Sequence, residues 1–319
     1  MPLRLNIIKS IWISRKPSTV EKYCFSLRKF FSFCKKSGVP LEIPFNSLFI
    51  AQHLEETKTN CEGRSAISTS LLSIKWLHGF MPGLNSVNDP ANDQFLSKIV
   101  EGANRNSAKL KQRKKPFSPE MIKNLIRNLP PEPSLTEIRD CLIPVLSYSL
   151  LLRHDETSHL NCNHITQCPE GLKIFIPSSK TDTYREGKFV FFSKNNQAAY
   201  NLFLDYLAKS KLSIGCNHFL FGPINFDRRS KQYEIQNRKI SYDCFNKITK
   251  NAVSSLGLNP DEYGTHSARS GGASCLAPLV SEYDLMLNGR WSDPRSIGSY
   301  VETPNAQRFK TNEILDINL

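Results

Sequence analysis

Residues 289–302 read GRWSDPRSIGSYVE, and residues 264–273 read GTHSARSGGA. Trp291 stands nine residues before Tyr300, and His266 and Arg269 form an H-x-x-R upstream of both. The chain has ten tyrosines, so Tyr300 is singled out by this company alone. Arg153 and Lys180 come earlier still, in that order. A tyrosine preceded by an ordered set of cations is a candidate nucleophile at a phosphate.

Each member of the set has a physical reason. Thr265 is expected to cap a helix over 266–278, and the three-residue spacing then sets His266 and Arg269 on one face. A phosphate near that helix start would also meet backbone donors, and Gly271 and Gly272 permit close backbone approach. Arg153 follows the apolar run LIPVLSYSLLL and heads R-x-x-E-x-x-x-L with Glu156 and Leu160. Its planar fork suits a phosphate, and Glu156 is placed to orient it. Lys180 lies in PSSKTDTYREG, between expected strands over 173–177 and 188–192, with Arg185, Lys188 and Lys194 as nearby competitors. Trp291 is flanked by Gly289, Arg290, Ser292 and Asp293, an unusually polar setting for a core anchor. Its indole N–H can donate to a phosphate oxygen but cannot shuttle a proton.

Outward from these motifs the pattern is mostly helical. Thr19 is placed to cap a first helix in which Val20, Tyr23, Leu27, Phe30, Phe31 and Cys34 recur at three- and four-residue steps. Gly38 and Pro40 end it. Further helices are expected over 46–56, 65–80 and 92–102, which makes a compact helical domain. The stretch NRNSAKLKQRKKPFSP, residues 104–119, reads as a basic linker rather than a packed element. Beyond it, helices are expected over 118–128, 136–152, 195–209, 241–255, 266–278 and 282–288. The division predicted is a helical domain at 1–103, a linker at 104–117 and a second domain at 118–319.

Charge agrees with a polyanionic partner. The chain of 319 residues carries a formal +13. Residues 1–116 hold 19 Lys/Arg against 8 Asp/Glu, while residues 117–319 hold 23 against 21. The first third therefore supplies much of the long-range attraction. Lys109, Lys111, Arg113, Lys114 and Lys115 in the linker are the expected nucleic-acid contacts, and the basic N-terminus reads as an arm facing the same partner. Nine cysteines without regular spacing read as reduced thiols of an intracellular protein. His159, Cys162, His164 and Cys168 are too compressed for the usual paired zinc knuckles. No Gly-rich phosphate loop or paired-carboxylate metal motif is present, so neither nucleotide hydrolysis nor metal-dependent cleavage is expected.

R-x-x-E-x-x-x-L at Arg153, a hairpin lysine at Lys180, H-x-x-R at His266–Arg269 and W-x8-Y at Trp291–Tyr300 together resemble the tyrosine recombinases of the phage integrase family. The helices beginning at STVEKYCFSLRKFFSFCKKSG resemble that family's core-binding domain. Trp291 in place of a more usual His, with the THSARSGGA context, is similar to crypton-like and related eukaryotic mobile-element recombinases. The resemblance implies a mainly α protein with a small β-sheet, a helical core-binding domain and an α+β catalytic domain. It implies Tyr300 as nucleophile, Arg153, Arg269 and Trp291 on the phosphate, Lys180 as proton donor to the leaving oxygen, and His266 near the tyrosine proton. It further implies duplex DNA as partner, a homotetramer on paired sites, no cofactor and no metal. The compartment would be wherever the DNA lies, the nucleus in a eukaryote. Two departures are visible. Many members have Gly just before the first Arg, where this chain has Leu151-Leu152, and many have Asp where it has His164. A type IB topoisomerase-like activity, or a catalytically silent DNA-binding descendant, are the alternative readings.

Overall fold

The computed structural model describes residues 12, 14–60, 64–81, 83–106, 113–177, 186–227 and 232–301. Lys109, Lys111, Lys180 and the expected N-terminal arm lie outside them, apart from Trp12 and Ser14–Lys16 of the arm. The chain divides into two compact units, residues 1–112 and 113–319.

The first unit is helical: α1 (Pro17–Ser37), α2 (Ser47–Thr59), α3 (Arg64–His78), a 3-10 turn at Pro90–Asn92, and α4 (Gln94–Asn106). Helix α1 begins three residues earlier than Thr19 would cap it. Pro17 occupies the first turn, where its missing N–H costs nothing, and Lys16 stands at the cap without a side-chain bond. Gly38 ends it in the left-handed conformation, φ 64°, as a glycine after a helix can without strain. Asn46 caps α2 by accepting from the Leu48 N–H at 2.8 Å. Leu27, Phe30, Cys34, Ile50, Leu54, Ile74 and Leu96 fill the core. A polar clasp closes one side of it. Fully buried His78 accepts from the Phe45 N–H through Nε2 at 3.0 Å, and its Nδ1 lies 2.6 Å from Asp89. Because Nε2 is the acceptor, Nδ1 carries the proton and donates to Asp89. Helix α4 continues to Asn106, so the linker expected from residue 104 begins later than its composition indicated.

The second unit contains α5 (Pro119–Arg127), α6 (Leu135–Ser149), α7 (His154–Ser158), a 3-10 turn at Cys162–His164, β1 (Ile165–Cys168), β2 (Gly171–Ile176), β3 (Lys188–Ser193) and α8 (Gln197–Ser210). Then follow β4 (Ile224–Asp227), β5 (Gln232–Ile235), α9 (Tyr242–Ser255), a 3-10 turn at Pro260–Glu262, α10 (Ser267–Leu276), α11 (Glu282–Gly289) and a 3-10 helix at Pro294–Ser299. Ser134 and Glu137 form a reciprocal capping box at the start of α6, and the helix then runs apolar, with Cys141 to Leu146 buried at the centre of the main core. Strands β1, β2 and β3 make an antiparallel sheet in that order. Ile174 pairs with Val190 on the buried face, and Phe175 with Phe189 on the other. This confirms the two expected strands, and the 177–187 connection that contains Lys180 joins them. Strands β1, β4 and β5 were not expected: ITQC lacks an apolar alternation, and INFD and QYEI alternate over only four residues each.

From residue 113 the basic segment packs along the second unit: the Lys115 N–H donates to the Glu262 carbonyl at 2.7 Å, and the Phe117 N–H to that of Ser267 at 3.0 Å. Phe117 is buried.

Candidate active site

The site is assembled where the end of α6 meets the start of α10 and the turn after α11. Helix α6 stops at Leu150, and Leu151 adopts φ 49°, a left-handed conformation that a side chain makes costly. This turn carries Arg153 to the N-terminal cap of α7. There the Glu156 carboxylate accepts from the Arg153 N–H at 2.9 Å and from its guanidinium at 2.7 Å. Glu156 therefore orients Arg153, as the spacing indicated.

Glu156 does more than that. It is 4 % exposed and faces three guanidinium groups. Arg290 donates to it at 2.7 Å, and Arg269 lies 4.0 Å away. Burial alone would raise the Glu156 carboxyl, but Arg290 and then Arg153 hold it below the ordinary glutamate range. Arg269 is fully buried and donates to the backbone carbonyls of Leu151 and Gly289. Burial, followed by repulsion from Arg153, pushes its guanidinium down to about 9, against the pull of Glu156. At neutral pH it remains a cation.

Arg269 also ties the site to the tyrosine. Its guanidinium carbon lies 4.5 Å from the Trp291 ring centre and 4.9 Å from that of Tyr300. The two rings are 5.3 Å apart, and the His266 ring is 6.0 Å from Tyr300. Among the described residues, Arg269 Nε and Trp291 Nε1 are buried donors with no hydrogen-bond partner. Leaving such a donor unpaired costs about 1–3 kcal/mol, which an incoming anionic acceptor would relieve.

Four expectations are corrected. The polar flanks of Trp291 mislead: the indole is 4 % exposed, in a small core with Leu151, Ala273, Leu285 and Ile297. Its polar neighbours occur because the chain turns there, with Arg290 at φ 55°. Thr265 does not cap α10, since His266 occupies the cap position. His266 is exposed while Arg269 is buried, so the pair brackets the tyrosine from two depths. Gly271 and Gly272 do permit the expected close backbone approach, but to neighbouring segments rather than beside a phosphate: an added Cβ would meet the Phe117 carbonyl oxygen at 2.0 Å and that of Tyr148 at 2.2 Å.

Of the expected residues, Arg153, Glu156, His266, Arg269, Trp291 and Tyr300 belong to this one site. In the basic segment, the Lys115 ammonium pairs with Glu262 at 2.8 Å, Lys114 donates to the Asp261 carbonyl, and Arg113 to that of Gly298 at 3.4 Å. The functional residue missed by sequence reasoning is Arg290. Its position directly before Trp291 was the available signal, and only its burial gives that position meaning.

No family model matches the chain. It is 22 % identical over 305 residues to an integrase/recombinase XerD homolog of Selenomonas ruminantium, covering 94 % of this chain and 85 % of that protein. Its fold is similar to XerH site-specific recombinase bound to palindromic difH substrate in a post-cleavage complex, with a TM-score of 0.63, 14 % identity and coverage of 93 % and 79 % of the two chains. It is also similar to the Tn1549 transposon integrase in complex with transposon right-end DNA, with a TM-score of 0.54, 13 % identity and coverage of 86 % and 87 %. Both of these solved relatives are DNA complexes. No helix among the described residues is long and apolar enough to cross a membrane. The chain has the fold of the tyrosine recombinases, and the resemblance first carried by six residues extends through both of its units.

Proposed function

We propose that the protein cuts and rejoins duplex DNA through a 3′-phosphotyrosyl bond, in site-specific recombination or the integration of a mobile element. The observation that carries this reading is the contact of Arg269 with both Trp291 and Tyr300, beside two buried donors that lack acceptors.

In this reading the Tyr300 oxygen attacks the scissile phosphorus and the bond to the 5′-oxygen breaks. Arg153 and Arg269 hold the nonbridging oxygens, and Trp291 Nε1 donates a further hydrogen bond. Lys180 gives its proton to the leaving 5′-oxygen, and His266 receives or shares that of the phenol. A second 5′-hydroxyl then attacks the phosphotyrosine and restores the diester. The bond energy is conserved, so no nucleotide is consumed. One carboxylate among three guanidiniums leaves two positive charges, which match a phosphoryl transition state carrying two negative ones.

Arg269 is covered in this conformation, with Tyr300 packed against it. Productive binding therefore requires the tyrosine ring to move off the guanidinium as a phosphate moves on. The residues of the basic segment, Lys109, Lys111, Arg113, Lys114 and Lys115, are assigned to the DNA backbone, and a homotetramer on two sites would complete exchange.

The test uses nicked suicide duplexes of randomised sequence, with covalent adducts recovered on a denaturing gel and their DNA sequenced. Wild type is expected to form an adduct and Tyr300→Phe none. An adduct that persists in the phenylalanine variant would overturn the assignment of the nucleophile. Relaxation of supercoiled plasmid without exchange between paired copies of a recovered site would favour the topoisomerase-like reading.

A further inference from the structure

Arg290 is 2 % exposed and left-handed, φ 55°, at the end of α11. Its guanidinium donates to four acceptors: the Leu150 carbonyl at 3.3 Å, that of Asn288 at 2.9 Å, that of Leu151 at 2.7 Å and Glu156 Oε2 at 2.7 Å. Leu150 and Leu151 belong to the Arg153 turn, whereas Asn288 belongs to the segment that leads into Trp291 and Tyr300. One side chain thus fastens together the two chain segments that the proposed reaction must align. Lysine, a point charge on a flexible stem, cannot reproduce a fork shared among these acceptors.

We infer that Arg290 is a positioning residue, which occupies the second oxygen of the Glu156 carboxylate so that Arg269 stays available for the phosphate. This deepens the phosphotyrosine reading and rests on it. Glu156 Oε1 takes the Arg153 guanidinium, and Oε2 takes the Arg153 backbone N–H and Arg290, leaving Arg269 at 4.0 Å, beyond hydrogen-bond reach. Without Arg290, the buried Oε2 would keep only the Arg153 N–H and lose its cation, and Arg269, 4.0 Å away, would be drawn from substrate to carboxylate. The charged groups facing Glu156 are Arg153, Arg269 and Arg290. Asp155, His159 and His164 line a cavity that Glu156 also lines.

The experiment measures adduct formation by wild type, Arg290→Met, Glu156→Gln and the double variant, on a duplex recovered from the randomised library, with DNA affinity measured in parallel. Arg290→Met should form adduct about 100-fold more slowly with affinity retained, because small misplacements of reacting groups have that scale of effect. Its deficit relative to wild type should narrow as the pH falls, since protonating Glu156 releases Arg269. The double variant should be no slower than Glu156→Gln alone. Arg290→Met with the wild-type rate would overturn the inference while leaving the phosphotyrosine reading intact. So would a deficit that is independent of pH and multiplies with that of Glu156→Gln, which marks a purely structural role. If Arg290→Met does not fold, Arg290→Lys decides: a loss of rate at retained affinity supports the inference, and the wild-type rate sinks it. No adduct from wild type on any member of the library overturns the phosphotyrosine reading, and this inference with it.

Discussion

The guanidinium carbon of Arg269 lies 4.9 Å from the centre of the Tyr300 ring, on a residue that is itself fully buried. The contact places a fixed cation where negative charge would develop on the phenol and the phosphate. Arg269→Lys keeps the charge but loses the fork that reaches both the Leu151 and Gly289 carbonyls. Adduct formation should fall by about 100-fold or more, the scale for losing an oriented donor in a dry site. A lysine variant that cleaves at close to the wild-type rate would remove Arg269 from the clamp.

Trp291 has two separable parts, a buried ring and an unpaired N–H. Trp291→Phe retains most of the ring and should lower adduct formation with a small effect on the melting temperature. Trp291→Ala also empties the small core and should cost about 3–5 kcal/mol of stability. Thermal melts and adduct assays on the two variants separate the roles. Equal adduct rates in wild type and Trp291→Phe would show that the N–H contributes nothing.

The two glycine positions give opposite predictions. At Gly272 a Cβ would stand 2.2 Å from the Tyr148 carbonyl oxygen, which is backbone and cannot turn aside. Gly272→Ala should therefore destabilise the second unit by about 1–3 kcal/mol or more, as overpacking does. At Gly298 nothing lies within 4 Å, so Gly298→Ala should leave stability nearly unchanged. Denaturant unfolding of both variants checks the pair.

Glu156 makes stability depend on pH in a defined direction. Its folded carboxyl sits below the ordinary value of 4.5, since Arg290 and Arg153 outweigh the cost of burial. The stabilisation is complete above 4.5 and is lost as the pH falls through the depressed folded value, because the unfolded chain binds its proton first. In Glu156→Gln this component should vanish, leaving a flatter acid limb at lower overall stability. Identical acid limbs in wild type and variant would mean that the arginine cluster does not hold the charge.

The strongly periodic elements were legible from residues alone. Helix α1 announced itself by apolar spacing and Gly38, and α6 by its apolar run. Arg153 with Glu156 was legible because short helical spacing fixes which side chains meet. Strands β1, β4 and β5 were not: ITQC has no alternation, and the alternation of INFD and QYEI runs for only four residues, too short to stand out before the two strands pair. Neither were the burial of Trp291 and the role of Arg290. Both depend on the left-handed turn at the end of α11, which no residue type there announces, since Arg290 occupies it instead of a glycine. The basic segment was misread at both ends, because charge composition says nothing of the hydrogen bonds that Lys115 and Phe117 make.

The left-handed Leu151 carries a consequence for how this pocket could change over generations. Its carbonyl is a shared seat for Arg269 and Arg290, while its side chain is packed beneath Trp291. Replacing it with glycine would ease the backbone by about 1–2 kcal/mol but remove a buried leucine side chain worth more than that. The position is thus held in place from two directions, and a single substitution cannot improve one without losing the other. Change at residue 151 is expected to travel with compensating change at Ala273, Leu285 or Ile297, the neighbours that would have to refill the space.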